Sequence, residues 1–289
     1  MDIISPKMDF CAKELFANQT IRKYFISDVT GIRVEDIKSV RLCNPFLRHR
    51  RNQKEGILDV LTELNDDTKV NIEIQLKMQA YWDRRSLFYL SKMYTEDLRV
   101  GEDYNKLKKS ISISILDYNM FDDPEYHSVF YLRDERGRMF TDLFEVHIIE
   151  LKKTLRGDCP VDDWIRLFNA GSKEELDMIH TKNAGINTAI AEVKRMSLSE
   201  RMRARYEAHL KEIRDRNARE DYVRSQGVEI GRQEGRQEGR QEGIRIGEER
   251  LNRLNQLNHL LAEQGRVDDI IKAADDEEYR KKLYEEFKL

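Results

Sequence analysis

Several residue types are too scarce, or too evenly spread, to support whole classes of function. Cysteine is the first. Three thiols in 289 residues, Cys11, Cys43 and Cys159, are odd in number and far apart. They form neither a disulfide framework nor a CxxC metal pair, so a reducing, cytoplasmic setting is expected. Long apolar runs are missing as well. Nothing approaches the roughly 18 residues a membrane span requires, so no membrane partner is expected. The opening MDIISPKMDF lacks the basic start and apolar stretch of a signal peptide. No GxSxG occurs, and the six histidines do not gather near a plausible nucleophile. Neither a P-loop nor a GxGxxG between strand and helix is present, which argues against nucleotide binding. An excess of one charge is absent too, with 51 basic against 54 acidic side chains and a net of −3. Residues 1–155 carry 25 and 26 of these, and the remainder 26 and 28. A polyanionic partner therefore cannot be read from total charge, only from a local patch. The densest basic run is Arg48-His49-Arg50-Arg51, with Lys54 beyond it.

What is present can build a core: 11 Phe, 12 Tyr and 2 Trp in a chain that is 39% hydrophobic. Up to about residue 155, apolar runs alternate with turn signals. Met8 to Phe25 has helical periodicity. Gly56–Leu64 and Lys69–Leu76 read as strands joined by a turn at Asn65-Asp66-Asp67. Tyr81 to Val100 reads as a helix closed by Gly101. Ser110–Leu116, Ser128–Leu132 and Phe144–Leu151 read as further strands, and the mixture suggests an α/β or α+β domain. After residue 160 no convincing strand remains. Short helices are expected at 161–170, 173–180 and 185–196, and a long charged helical stretch at 199–224. Glycine then recurs every four residues, at 227, 231, 235, 239, 243 and 247, with Gly-Arg-Gln-Glu three times over. Amphipathic helices at 251–261 and 268–287 complete the chain. The organisation expected is 1–155, a helical region 156–225, the repeat 226–250 and helices 251–289.

Alternation in the second strand sets Val70, Ile72, Ile74 and Leu76 on one face and Asn71, Glu73, Gln75 and Lys77 on the other. Asp59 lies inside an apolar run on the preceding strand. A carboxylate so placed is costly unless paired or metal-bound. In a hairpin Asp59, Glu73 and Gln75 can converge, and two carboxylates suit a hard divalent cation. They can equally pair with nearby Lys or Arg.

Five motifs in order resolve the choice. Asp9-Phe-Cys-Ala-Lys13-Glu-Leu-Phe16, Gly56-Ile-Leu-Asp59-Val, Asn71-Ile-Glu73-Ile-Gln75, Arg85-x3-Tyr89-x4-Tyr94, and Gly101-x2-Tyr104 followed by His147-Ile-Ile-Glu150 stand together. With them the chain resembles the bacterial recombination-promoting nucleases, also described as PD-(D/E)xK nuclease family putative transposases. The resemblance implies a restriction-endonuclease-like α/β core, a mixed sheet flanked by helices, followed by an all-helical C-terminal region. It implies a Mg²⁺- or Mn²⁺-dependent DNA endonuclease, linked to recombination or transposition. Asp59, Glu73 and the backbone carbonyl of Ile74 would hold the metal, and Asp9 would add an acid from the first helix. Gln75 stands where the signature usually has Lys, so it can orient a water but brings no charge. Lys77, about 6.6 Å further along the same face, is a candidate to supply it. Lys13, Arg85, Tyr89, Arg48, Arg50 and Arg51 are candidate phosphate or DNA contacts. The alternative keeps the fold without strong catalysis, as a DNA-binding or oligomeric scaffold.

The glycine repeat is expected to be helical and to mediate homo-oligomerisation. Six glycines cost a lone helix about 0.8–1 kcal/mol each. Arg232, Arg236 and Arg240, and Glu234, Glu238 and Glu242, set like charges at i, i+4, so an isolated helix is marginal.

Overall fold

The Ser-Ile alternation at 110–116 marks the centre of the sheet. The computed structural model describes residues 3–37, 40–43, 46–47, 56–57, 60–64, 66–157 and 159–289. It divides into two compact units, Met1–Ala208 and His209–Leu289.

The single helix expected over 8–25 is two, α1 (Asp9–Ala17) and α2 (Gln19–Thr30). Asn18 breaks it, because its side chain accepts from the backbone of Thr20 and Ile21 and so caps the second helix instead of continuing the first. Gly31, at φ +76°, stops α2. The buried Arg22 then ties three elements together. Its Nη1 donates to the last carbonyls of α1, Phe16 and Ala17, each at 2.6 Å, and its Nη2 to Val40 at 3.0 Å. Val40 opens strand β1 (Val40–Leu42).

The run expected as one strand over 56–64 is described in two pieces. Strand β3 (Gly56–Ile57) pairs with β2 (Phe46–Leu47) in a small separate sheet, and β4 (Val60–Leu64) enters the main one. Strand β5 (Lys69–Gln75) returns antiparallel to β4, after a turn in which Asp67 takes φ +65°. Helix α3 (Trp82–Thr95) crosses to β6 (Ser110–Leu116), parallel to β5. The helix is shorter at both ends than the expected 81–100. Tyr81 is left-handed, and Glu96 and Asp97 turn back to bind Lys69 at 3.3 and 2.6 Å. Strands β7 (His127–Arg133) and β8 (Met139–Glu150) finish the six-stranded order β1-β4-β5-β6-β8-β7, with β8 parallel to β6.

The two faces differ chemically. Asn71, Glu73 and Gln75 lie opposite Ser112, Ser114 and Leu116, and these opposite Val146, Ile148 and Glu150. This face meets α3, whose Leu90 and Met93 pack on Leu61, Phe144 and Val146, and whose Trp82 packs on Leu116 and Ile148. The other face carries Val70, Ile72, Ile111, Ile113 and Ile115, all buried. Among the described residues no strand follows Glu150, yet packing of the first unit continues to Ala208. Helices α4 (Pro160–Asn169), α5 (Lys173–Asp177) and α6 (Ala184–Leu198) belong to it, with α4 and α6 against α2. Asp28 of α2 accepts from Trp164 Nε1 at 2.7 Å and Asn183 Nδ2 at 2.6 Å, and Phe25 sits edge-on to Trp164. A side chain at Gly185 would collide with Tyr24, so this close approach of α6 to α2 requires glycine.

Helix α7 (Glu200–Glu263) absorbs the charged stretch, the glycine repeat and the segment 251–261, which were read as separate. In the second unit its last turns fold with α8 (Val267–Asp275) and α9 (Glu277–Glu286) around Leu257, Leu261, Ala273 and Leu283. The expected helix over 268–287 is these two, interrupted at Asp276, which caps α9 through Tyr279 N.

A hydrogen-bonded chain links β7 to β8. The Glu145 carboxylate accepts from His147 Nε2 at 2.6 Å and from Lys109 at 2.5 Å, so the Nδ1 lone pair of His147 accepts from His127 Nε2 at 3.0 Å. Burial, helped by the neighbouring His147, holds the His127 imidazole down at about 4. Burial pushes Glu145 up, but its bonds from His147 and Lys109 outweigh that and hold it low. The unfolded chain therefore binds a proton at His127 that the folded chain refuses. That contribution to stability is complete above pH about 6.5 and is lost as pH falls towards 4, roughly 3 kcal/mol in all. Urea midpoints measured across this range should fall in the native chain and decline less steeply in His127→Gln.

Candidate active site

A carboxylate facing a helix from the middle of a sheet has to be neutralised, and Glu73 is. It is 8% exposed. Its Oε1 accepts from Arg85 Nη2 of α3 at 2.7 Å and from the side-chain amide of Gln75. Arg85 also donates through Nη1 to Gln79 Oε1 at 2.5 Å. The pairing follows from geometry. Glu73 and Gln75 share a face by strand alternation, and Arg85 stands one turn into α3, on the border between its buried and outward sides. Helix α3 is also fixed at its other end. Lys69, at the start of β5, donates to Met93 O at 3.5 Å, placing a cation at the helix C-terminus.

Around Glu73 the interface with α3 is polar. Among the described residues, Asn71 Oδ1, Ser114 Oγ, Trp82 Nε1 and Arg85 Nε are buried atoms with no hydrogen-bond partner. Ser114 lies directly opposite Glu73 in the ladder, and Asn71 is two residues before it on the same face. Each such orphan costs roughly 1–3 kcal/mol, and clusters of them mark places where water or an ion belongs. Tyr118, just beyond β6, has its hydroxyl pushed up by burial and by the charge of Glu73, partly offset by Arg85. Its motif-free sequence context gave no sign of this proximity.

The oxygens present are hard donors. Gln75 O accepts from Asp117 N on the β6 side at 2.9 Å. Strand alternation therefore turns the carbonyl of Ile74 the other way, towards the side on which β4 runs. The Glu73 carboxylate and the Ile74 carbonyl thus fit an oxygen-liganded divalent cation in kind. Among the described residues, no three His, Cys, Asp or Glu side chains form a metal-holding group.

Other residues singled out by sequence fall as follows. Asp59, Arg48, Arg50 and Arg51 lie outside the described residues. Asp9 opens α1, exposed, and pairs with Lys13 one turn later at 2.9 Å. Lys77 lies past the end of β5 and is exposed. Tyr89 packs half-buried on the Leu61–Leu90–Met93 cluster, and Tyr94 against Phe144, with ring centroids 4.6 Å apart. Glu150, fully buried, is structural: it accepts from Met120 N at 2.5 Å and Phe121 N at 3.1 Å and pairs with Lys153 at 2.7 Å. Asp117, paired with Lys7 and Lys152 at 2.9 and 3.0 Å, anchors the segment before α1 to the end of β6.

Residues 6–222 match the sequence model described as PD-(D/E)XK nuclease family transposase, which spans the sheet, its flanking helices and the first part of α7. No curated protein and no solved structure shows significant similarity to the chain. Its mixed six-stranded sheet flanked by helices, with a long helical region after it, is the architecture of such a nuclease core, and the chain belongs to the PD-(D/E)XK nuclease family transposases.

Proposed function

We propose that the protein is a metal-dependent DNA endonuclease that hydrolyses phosphodiester bonds. The observation carrying this reading is the buried Glu73 carboxylate, held beside Gln75 and paired with Arg85 in a nuclease-family fold. Asp59 would be the second carboxylate. It immediately precedes Val60, whose partner Ile72 immediately precedes Glu73. Asp59, Glu73 and the Ile74 carbonyl would hold Mg²⁺ or Mn²⁺. A bound divalent cation lowers the pKa of a water and neutralises charge on the scissile phosphate.

The chain's own groups divide the remaining work. Gln75 donates its amide N–H to Glu73, which leaves its amide oxygen to accept from a water and orient it. Arg85 would hold the Glu73 carboxylate in its orientation through their 2.7 Å ion pair, and would supply the positive charge that Gln75 lacks. Lys77, exposed past the end of β5, would meet phosphate, and Asp9 and Lys13 would approach from α1. The basic run Arg48, Arg50 and Arg51 would contact the DNA backbone, with Tyr89 supporting Arg85.

Purified full-length protein should nick supercoiled plasmid with Mg²⁺ or Mn²⁺ and not with EDTA. Asp59→Ala and Glu73→Gln should each lower the rate by roughly 100-fold or more while circular dichroism is unchanged. Loss of fold in both would mark a structural pair instead. Arg85→Ala removes the Arg85–Glu73 ion pair and should cost about 1–3 kcal/mol, read from the urea midpoint.

The second unit supports a further proposal, homo-oligomerisation through α7. Residues 227–247 are helical and exposed, and a Cβ at any of the six glycines meets no atom within 4 Å. Nothing among the described residues requires glycine there, whereas a partner helix in close approach would. Replacing all six with alanine should raise helicity, at about 0.8–1 kcal/mol per site, and lower the association seen by sedimentation velocity. Native chain that stays monomeric at high concentration would exclude the proposal.

A further inference from the structure

Helix α3 buries one side under the sheet and presents on the other a stripe of rings and cations. At about 100° per residue, Arg84, Phe88 and Lys92 fall in that order within an arc of about 80°, and Tyr81, just before the helix, joins them under Arg84. Trp82, Leu90 and Met93 occupy the opposite, buried side. Asp83, the single acid of the helix, lies about 100° off the stripe. Arg85 borders it and reaches inward to Glu73.

Tyr81 is 70% exposed and Phe88 41%. Each ring is accompanied by a cation. Arg84 Cζ lies 5.3 Å from the centre of the Tyr81 ring, and Lys92 Nζ 5.8 Å from that of Phe88. Tyr81 also holds φ +59° and ψ 28°, with no side-chain cap at this helix start. A non-glycine residue in that region carries strain, and strain of this kind collects where a side chain must be aimed. Here it aims an aromatic ring into solvent beside the groups that bind Glu73.

We propose that the Tyr81–Arg84–Phe88–Lys92 stripe is a track for a single unpaired DNA strand leading to Glu73. The substrate class comes from the nuclease reading; the strandedness comes from the stripe. A nucleic-acid strand offers one anion and one π-face per nucleotide, and paired rings and cations match both. In a duplex the base faces are stacked on one another and closed to Tyr81 and Phe88. Charge complementarity favours the strand as well, because no acid lies on the stripe.

The test is fluorescence anisotropy with the full-length protein, in EDTA so that cleavage does not intervene. The probes are a fluorescein-labelled single-stranded oligonucleotide and the same sequence as a blunt duplex. The single strand should bind more tightly. Tyr81→Ala and Phe88→Ala should each weaken its binding by roughly 5-fold or more, while duplex binding changes by less than about 2-fold. Arg84→Gln should reduce the slope of log K against log salt by about 0.7, one phosphate contact on a single strand. Tyr81→Gly relaxes the left-handed backbone, so its thermal midpoint should hold or rise while affinity still falls. Equal affinity for both probes, or unchanged single-strand binding in a folded Tyr81→Ala/Phe88→Ala double variant, overturns the proposal. If plasmid cleavage depends on Glu73 but strand binding ignores Tyr81 and Phe88, this inference falls and the nuclease reading stands. If strand binding needs the rings but no cation supports cleavage, the nuclease reading falls and the track stands.

Discussion

A negative charge between a sheet and the helix that covers it governs this structure. Glu73 is not left there without a cation, since losing it would cost roughly 1–3 kcal/mol. Arg85 therefore has to come from α3, and to do so the helix must pass the strand at one height. Lys69, bound to the C-terminal end of α3 and to Glu96 and Asp97, sets a second point. Two ion pairs at opposite ends of β5 thus fix both the position and the direction of α3. The apolar contacts of Trp82, Leu90 and Met93 then fill the space on either side. Hydrophobic burial supplies most of the stability, but it is not directional; the charges decide where the helix lies.

That arrangement leaves a polar layer where a larger core would be apolar. Ser110, Ser112 and Ser114 line one face of a strand whose other face is Ile111, Ile113 and Ile115, and all are buried. Volume-matched apolar residues would pack this interface more cheaply. Asn71, Ser114 and Arg85 keep buried polar atoms that find no hydrogen-bond partner among the described residues, which forgoes stability at this interface. The site's border is built by groups that never reach it. Glu150 gathers Met120, Phe121 and Lys153, and Asp117 gathers Lys7 and Lys152, so the loops past β6 and β8 are held at the same end of the sheet as Gln75.

The second unit obeys a different rule. Its core is four buried residues, Leu257, Leu261, Ala273 and Leu283, edged by rings such as Tyr284 under Arg253, 4.3 Å away. Upstream, a Cβ at any glycine of the repeat would meet no described atom within 4 Å. Its pairing is local, as in Arg245 with Glu242 and Glu249, both at 2.5 Å. Such pairs contribute only a few tenths of a kcal/mol each in an exposed helix.

Local chemistry in the sequence determined a good deal. The Ser110–Leu116 strand was legible to the residue, because strict alternation has a single extended reading. The Lys69–Gln75 face was legible for the same reason, and with it the placing of Glu73 and Gln75 on one side of the strand, though not the hydrogen bond between them. Ordered motifs carried the family. Interruptions were less visible. Asn18 and Asp276 cap helices in the middle of continuous helical periodicity, and capping depends on a backbone turn that periodicity does not encode. The same holds for α7, where charged, glycine-rich and apolar segments differ in composition but share one backbone conformation. Arg85 was legible as a cation on a helix face, yet its partner was not. Arg85 and Glu73 are twelve residues apart, and only the crossing of α3 over β5 turns a candidate phosphate contact into the counter-ion of the central carboxylate. Alternation and motif order are properties of neighbouring residues, so sequence alone determines them; the pairing of a charge with its counter-charge depends on where two elements cross, and only the tertiary structure decides that.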